Sequence, residues 1–163
     1  MNLVITVLIS LATWLIQPVE MDTIDVNSLR LNKISILSIS DSTLVHEFGT
    51  PDSIVVAFDT LVDDSELNIY NYGYNKISLK DNRAWTIEIN DQNWDLTGFQ
   101  VGDSEEKVAV GYPKSYMIKY NPTDEKHTIV PIAISINGKI TDCYIYIYLM
   151  NGKIERIKYL EDL

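Results

Sequence analysis

Few side chains in this chain are equipped for chemistry. There are two histidines, His46 and His127, and a single cysteine, Cys143. His46 stands beside Glu47 in a segment of helical pattern, and His127 sits in a polar loop. Neither has a serine or cysteine placed as a nucleophile, and the H-x-x-x-H spacing that holds zinc is absent. One cysteine makes no disulfide within one chain, and no Cys/His cluster is present to bind zinc. Cys143 lies in an apolar alternation and reads as a small core residue. Asp63, Asp64 and Glu66 form an acidic cluster. A calcium loop would need further oxygen ligands and a central glycine, so this cluster reads as a solvated loop. The glycines are scattered, without a run to cradle phosphate. We expect no catalytic residues, no metal and no cofactor.

Tyrosines offer a different chemistry, that of recognition. Tyr144, Tyr146 and Tyr148 alternate with Ile145, Ile147 and Leu149. In a strand such alternation sends the two sets to opposite faces. Tyr70, Tyr72 and Tyr74 repeat the spacing earlier in the chain. If the Ile/Leu side packs on helices, all six tyrosines line an open sheet face. Tyrosine is enriched at the cores of protein interfaces, so these six are the candidate partner-binding residues. Cross-strand tyrosine pairs that only stabilise the sheet are the competing explanation.

The elements that must position them follow from an internal repeat. Asp41-Ser42 through Gly49-Thr50-Pro51-Asp52-Ser53 returns, 62 residues later, as Asp103-Ser104 through Gly111-Tyr112-Pro113-Lys114-Ser115. Each copy opens with a short helix. Asp103 is the expected N-cap, with Glu106 at capping-box spacing, and Asp41 is the expected cap of the first copy. Gly49 and Gly111 are expected to end the helices, and Pro51 and Pro113 to prevent continuation. After each proline the period changes to two. Strands are predicted over 53–59, 66–72, 76–80 and 84–89, then over 115–120, 128–136, 139–149 and 153–160. Asn137-Gly138 and Asn151-Gly152 are tight-hairpin dipeptides, with Asp81-Asn82 in the matching place of the first copy. Residues 29–36 and 96–101 add a short strand or helix before each unit. Trp85 and Trp94 are expected in the core or at the junction between units. A unit of roughly 60 residues buries too little surface to be robust alone, so the two are expected to share a sheet.

The run Val101-Gly102-Asp103-Ser104-Glu105-Glu106-Lys107-Val108 through Gly111-Tyr112-Pro113, then Asn151-Gly152-Lys153-Ile154, resembles the repeat of the beta-lactamase inhibitor protein-like superfamily. It is also similar to the SmpA/OmlA (BamE-like) outer-membrane assembly lipoproteins. Ile39-Ser40-Asp41-Ser42 through Gly49-Thr50-Pro51 carries the likeness in the first copy. The resemblance covers most of residues 36–160. It implies an α+β fold in which two tandem helix-plus-antiparallel-meander repeats form one curved sheet of about eight strands with helices on one face. It also implies proteins that bind other proteins and catalyse nothing. A single unit with a lipidated cysteine is the assembly-factor pattern, and this chain departs from it.

Leu3 to Ile16 is an apolar run without charge, too short for a membrane span, which needs roughly 20 residues. It fits the apolar region of a secretory signal, although no basic residue precedes it and no small-x-small site follows. The expected organisation is a signal peptide or signal anchor over 1–20, a lead-in over 21–35, one repeat over 36–92 and a second over 93–163. Export to the periplasm, cell envelope or exterior follows. Formal net charge is −10, which repels a phosphate backbone, so no nucleic-acid partner is expected. The acidic balance keeps a protein soluble and leaves room for a basic protein partner. Membrane contact is expected only through an uncleaved N-terminal segment. The function expected is an exported, non-enzymatic protein-binding module. An envelope assembly or scaffold factor is the alternative. A hydrolase with a dispersed carboxylate or His46 site is a third reading, and it requires a deep polar pocket.

Overall fold

The computed structural model describes residues 20–59, 65–122 and 126–160. In chain order the strands are β1 (Thr23–Asp25), β2 (Arg30–Leu31), β3 (Ile34–Ser35), β4 (Ser53–Asp59), β5 (Ser65–Tyr72), β6 (Asn75–Lys80), β7 (Arg83–Ile89), β8 (Asp95–Leu96), β9 (Phe99–Gln100), β10 (Thr128–Ile136), β11 (Lys139–Met150) and β12 (Lys153–Leu160). The helices are α1 (Asp41–Phe48), α2 (Glu105–Gly111) and α3 (Pro113–Met117). The fold is α+β: one mixed eight-stranded sheet, a small four-stranded sheet and short helices. The expected targeting segment, up to residue 19, lies outside the described residues, as do Asp63 and Asp64.

The large sheet runs β1-β10-β11-β12-β7-β6-β5-β4. Two meanders meet at their final strands, β7 and β12, which pair antiparallel with Ile89 opposite Ile157. The hairpin turns are set by local chemistry. Asp81-Asn82, Asn137-Gly138 and Asn151-Gly152 all take positive φ at both central positions. That is the mirror-image turn whose twist matches paired strands, and Asn, Asp and Gly tolerate it.

One file of side chains crosses six strands of the sheet: Tyr70, Ile77, Ile87, Tyr159, Ile145 and Ile132, each directly opposite the next. All six are buried and belong to one core that includes Leu44 of α1 and Val108 of α2. Burying each large aliphatic side chain contributes about 1.5–3 kcal/mol. The small sheet, β3-β2-β8-β9, joins residues before the first meander to those before the second through Leu31 opposite Leu96, both buried.

Several expectations need correction. Ser40, not Asp41, caps α1 by accepting from the Thr43 N–H, and Ser104, not Asp103, caps α2 by accepting from the Lys107 N–H. Asp103 instead accepts from the Gln100 N–H and from Lys107 Nζ. Gly49 ends α1 at φ 82° as expected. Gly111, by contrast, is the last residue of α2 and needs no left-handed backbone. A Cβ there would stand 3.3 Å from the ring of Phe99, so close packing is its constraint.

Pro113 does not stop a helix but starts α3, where its fixed φ and missing N–H suit the first helical position. The strand expected over 115–120 is therefore helical through Met117, and Tyr120 is bridged to Ile129. Its place beside β10 is taken by β1, which runs parallel to β10. Ser115 and Asp22 lock this exchange reciprocally. The Ser115 N–H donates to Asp22 Oδ2 at 2.9 Å, and the Asp22 N–H donates to Ser115 Oγ at 3.0 Å. Residues 21–35, expected as a lead-in, thus supply β1, β2, β3 and the buried Val26, Leu29 and Leu31.

Candidate functional site

β11 places its side chains in strict alternation. Cys143, Ile145, Ile147 and Leu149 are buried, and Tyr144, Tyr146 and Tyr148 are half-buried on the opposite face. The pairings identify the neighbours of these tyrosines. Tyr146 lies opposite Lys158, which lies opposite Glu88, which lies opposite Lys76. Tyr148 lies opposite Arg156, whose guanidinium stands 3.9 Å from the centre of the Tyr148 ring. That distance suits a cation–π contact. Tyr144 and Tyr146 stack with ring centres 5.8 Å apart.

Farther along this face, Lys158 and Glu88 pair at 3.4 Å and Thr86 donates to Ser78 at 2.9 Å. Lys80 Nζ stands 4.4 Å from the centre of the Trp85 ring. On their other side Tyr144, Tyr146 and Tyr148 lie opposite Ala133, Pro131 and Ile129 of β10, all buried.

Beside Tyr148, a shallow hollow of about 350 Å³ is lined by Asn90, His127, Glu155 and Arg156. His127 Nε2 is hydrogen-bonded to Glu155 Oε2, and its ring meets Tyr148 edge-on. Glu155 reaches this position because a bulge in the β11–β12 pairing gives it no direct partner. Nothing in its spacing announced it. The relevant signal was weak: His127 and Glu155 are 28 residues apart and only the sheet joins them.

The first tyrosine set is divided. Tyr70 is 5% exposed and faces the helices, not the open side. Its hydroxyl donates to Asp41 Oδ1 at 2.8 Å. Burial, reinforced by that carboxylate, pushes the Tyr70 phenol up to about 12. Tyr72 packs against Phe48 of α1 and Trp94, with ring centres 6.1 and 5.5 Å away. Burial also raises the Tyr72 phenol, with Asp41 adding to the effect. Tyr74 stands 77% exposed in the β5–β6 turn. The expectation that six tyrosines share one open face is therefore corrected to three, Tyr144, Tyr146 and Tyr148.

No protein-family model and no curated protein matches the sequence. One solved structure resembles the fold: an extracellular protein containing a SCP domain, from Bacillus anthracis str. Ames. It aligns with TM-score 0.51 and 13% identity over 78% of this chain. The chain spans 44% of the length of that protein. At this identity the likeness speaks to the fold alone.

The remaining chemistry-bearing residues stay apart. His46 is exposed and pairs with the adjacent Glu47, at 2.9 Å. Cys143 is buried, a free thiol in the core as its apolar context predicted. Trp94 is buried at the connection between the meanders, against Phe48 at 4.7 Å, in keeping with a junction role. Among the described residues, no group of three or more His, Cys, Asp or Glu side chains is placed to hold a metal ion. No helix among them is long and apolar enough to cross a membrane.

Proposed function

We propose that this chain is an exported, non-enzymatic protein-binding module whose contact surface is the face of the sheet opposite the helices at β11 and β12. The observation that carries the reading is the half-buried file Tyr144, Tyr146 and Tyr148, on the face opposite the buried isoleucines. Rigid aromatic groups with polar tips, rimmed by charge, are the makings of an interface core. Export rests on the apolar N-terminal run and agrees with an extracellular structural neighbour.

Local charge refines the partner. The chain is acidic overall, but this face carries Lys76, Arg156 and Lys158 against Glu88 and Glu155. The proposed partner surface therefore bears carboxylates, where net charge alone had suggested a basic one. Opposed charges at the rim raise association rates and weaken with salt.

The reading of the chain as two copies of one unit belongs to the same proposal, as does its likeness to inhibitor-like and BamE-like repeats. Its support is a shared tether. The N–H of the first residue of α1, Asp41, donates to Asn82 Oδ1, and that of α2, Glu105, donates to the Gly152 carbonyl. Each acceptor is the second turn residue of the last hairpin in its half. Envelope scaffolding is the alternative and needs the N-terminal segment retained as an anchor.

The test is affinity capture from the native envelope with the full-length chain as bait. A partner held by the wild type should be lost with Tyr146→Ser and with Arg156→Glu, both with native circular dichroism. A partner retained by both variants would falsify the open-face assignment.

A further inference from the structure

The two edges of the large sheet are built differently. At one edge β1 is three residues long. At the other, β4 runs for seven residues, Ser53-Ile54-Val55-Val56-Ala57-Phe58-Asp59, in unbroken register with β5. Its outer side has no strand beside it in the described structure. The exposed groups on it are apolar: Ile54 is 51% exposed, Val55 49%, Val56 54% and Phe58 63%. Soluble proteins protect such edges with lysine, proline, a bulge or shortness, because an edge of free N–H and C=O groups templates another strand. β4 has none of these within its span.

We propose that β4 pairs antiparallel with β4 of a second copy of this chain, about a two-fold axis through Val56 and normal to the sheet. This inference does not depend on the open-face reading. Self-complementarity carries it. In that register Val56 faces Val56 of the other copy, Val55 faces Ala57, and Ile54 faces Phe58, so every apolar residue meets an apolar one. Sliding by two residues in either direction sets Asp52 against Phe58 or Asp59 against Val55. The axis leaves the helices of both copies on the same side of one continuous sheet. A foreign peptide would need its own matching pattern, whereas the second copy already has it.

The exposed parts of the four large side chains come to roughly 400 Å² per copy, about 800 Å² for the pair, half the area of a standard stable interface. The backbone ladder adds to this. The dimer is therefore reversible and depends on concentration.

The register makes the test specific. The full-length chain with Cys143→Ala and Val56→Cys should form a disulfide-linked dimer on mild oxidation, because the two cysteines lie directly opposite. Ile54→Cys in the same background should not, since its two copies lie about four residues apart along the strand, roughly 14 Å. Mixing Ile54→Cys with Phe58→Cys should restore cross-linking. In sedimentation velocity the wild type should shift from monomer to dimer as concentration rises, and Val56→Lys should weaken that association at least tenfold. Cross-linking of Ile54→Cys as fast as Val56→Cys, association that survives Val56→Lys, or a wild type that stays monomeric at every concentration would each overturn the proposal. The last outcome would leave β4 to a foreign strand. Capture of an open-face partner is expected to survive Val56→Lys, which separates the two proposals.

Discussion

Tyr70, Tyr72 and Tyr74 share their spacing with Tyr144, Tyr146 and Tyr148, and the two sets part company in space. Tyr70 and Tyr72 lie beneath α1, one bonded to Asp41 and the other against Phe48 and Trp94. Tyr144, Tyr146 and Tyr148 lie on the far side of the sheet. The difference comes from what alternates with each set. Between the tyrosines of β11 stand Ile145 and Ile147, followed by Leu149, all more apolar than tyrosine, so they take the core. Around Tyr70 and Tyr72 the alternating positions are Ile69, Asn71 and Gly73, which as a set are less apolar. There the tyrosines are the best core residues available. Period two states that a strand has two sides. The more apolar set decides which side is inside.

That contrast can be broken most directly by truncation. Tyr70→Ala is expected to cost about 3–5 kcal/mol, as a large buried ring does. Tyr146→Ala should cost less, about 1–2 kcal/mol, because part of its ring already meets solvent. Urea denaturation of both variants reads the difference, and equal costs would erase the distinction. A subtler change separates the two buried tyrosines. Tyr70→Phe removes a bond to a carboxylate and should cost about 1–2 kcal/mol at neutral pH.

The same variant carries a pH signature. The Tyr70 phenol is raised in the folded state to about 12 against an ordinary 10. The native state therefore holds the proton longer than the unfolded chain. Stability is full below pH 10 and falls as pH rises from 10 toward 12. Tyr72, Tyr112 and Tyr120 are raised as well, chiefly by burial. Tyr70→Phe should thus make that alkaline decline shallower without abolishing it, as measured by denaturation at stepped pH.

Tyr72 sharpens the comparison from the other side. Its hydroxyl is buried with no hydrogen-bond partner among the described residues. Tyr72→Phe is expected to be neutral or to raise the denaturation midpoint, because it removes a desolvated group that gains nothing in return. A small effect should also come from Arg156→Ala. It loses one partly exposed cation–π contact, worth at most about 1 kcal/mol. An Arg156→Ala variant that unfolds at markedly lower urea would give Arg156 a structural role.

Much of this architecture was legible in residue patterns. The seven strands from β4 to β7 and from β10 to β12 follow the alternation, with Asp-Asn or Asn-Gly at three of their turns, and their ends fall within a residue of the spacing. What failed did so for nameable reasons. Pro113 was read as a stop when the position after Tyr112 made it a start. Asp and Ser both serve as helix caps, but Asp41 accepts from the Tyr70 hydroxyl and Asp103 from the Gln100 N–H, which leaves the caps to Ser40 and Ser104. β1 was missed because three residues carry no periodicity, and its partner β10 lies more than a hundred residues on. The hollow beside Tyr148 was invisible, since a bulge and a long-range pairing bring His127 and Glu155 together.

The junction of the meanders has a consequence for how the chain comes into being. β12 lies in the middle of the large sheet, between β11 and β7. The two meanders therefore cannot join until residues 153–160 have been synthesised. Contacts across that seam link Ile89 to Ile157 and Thr86 to Leu160, far apart in sequence, so closing them is slow relative to forming hairpins. A nascent chain stays open, with its core incomplete, until nearly all of it has emerged. That delay makes closure of the core one of the last events in the life of the nascent chain, governed by its final strand.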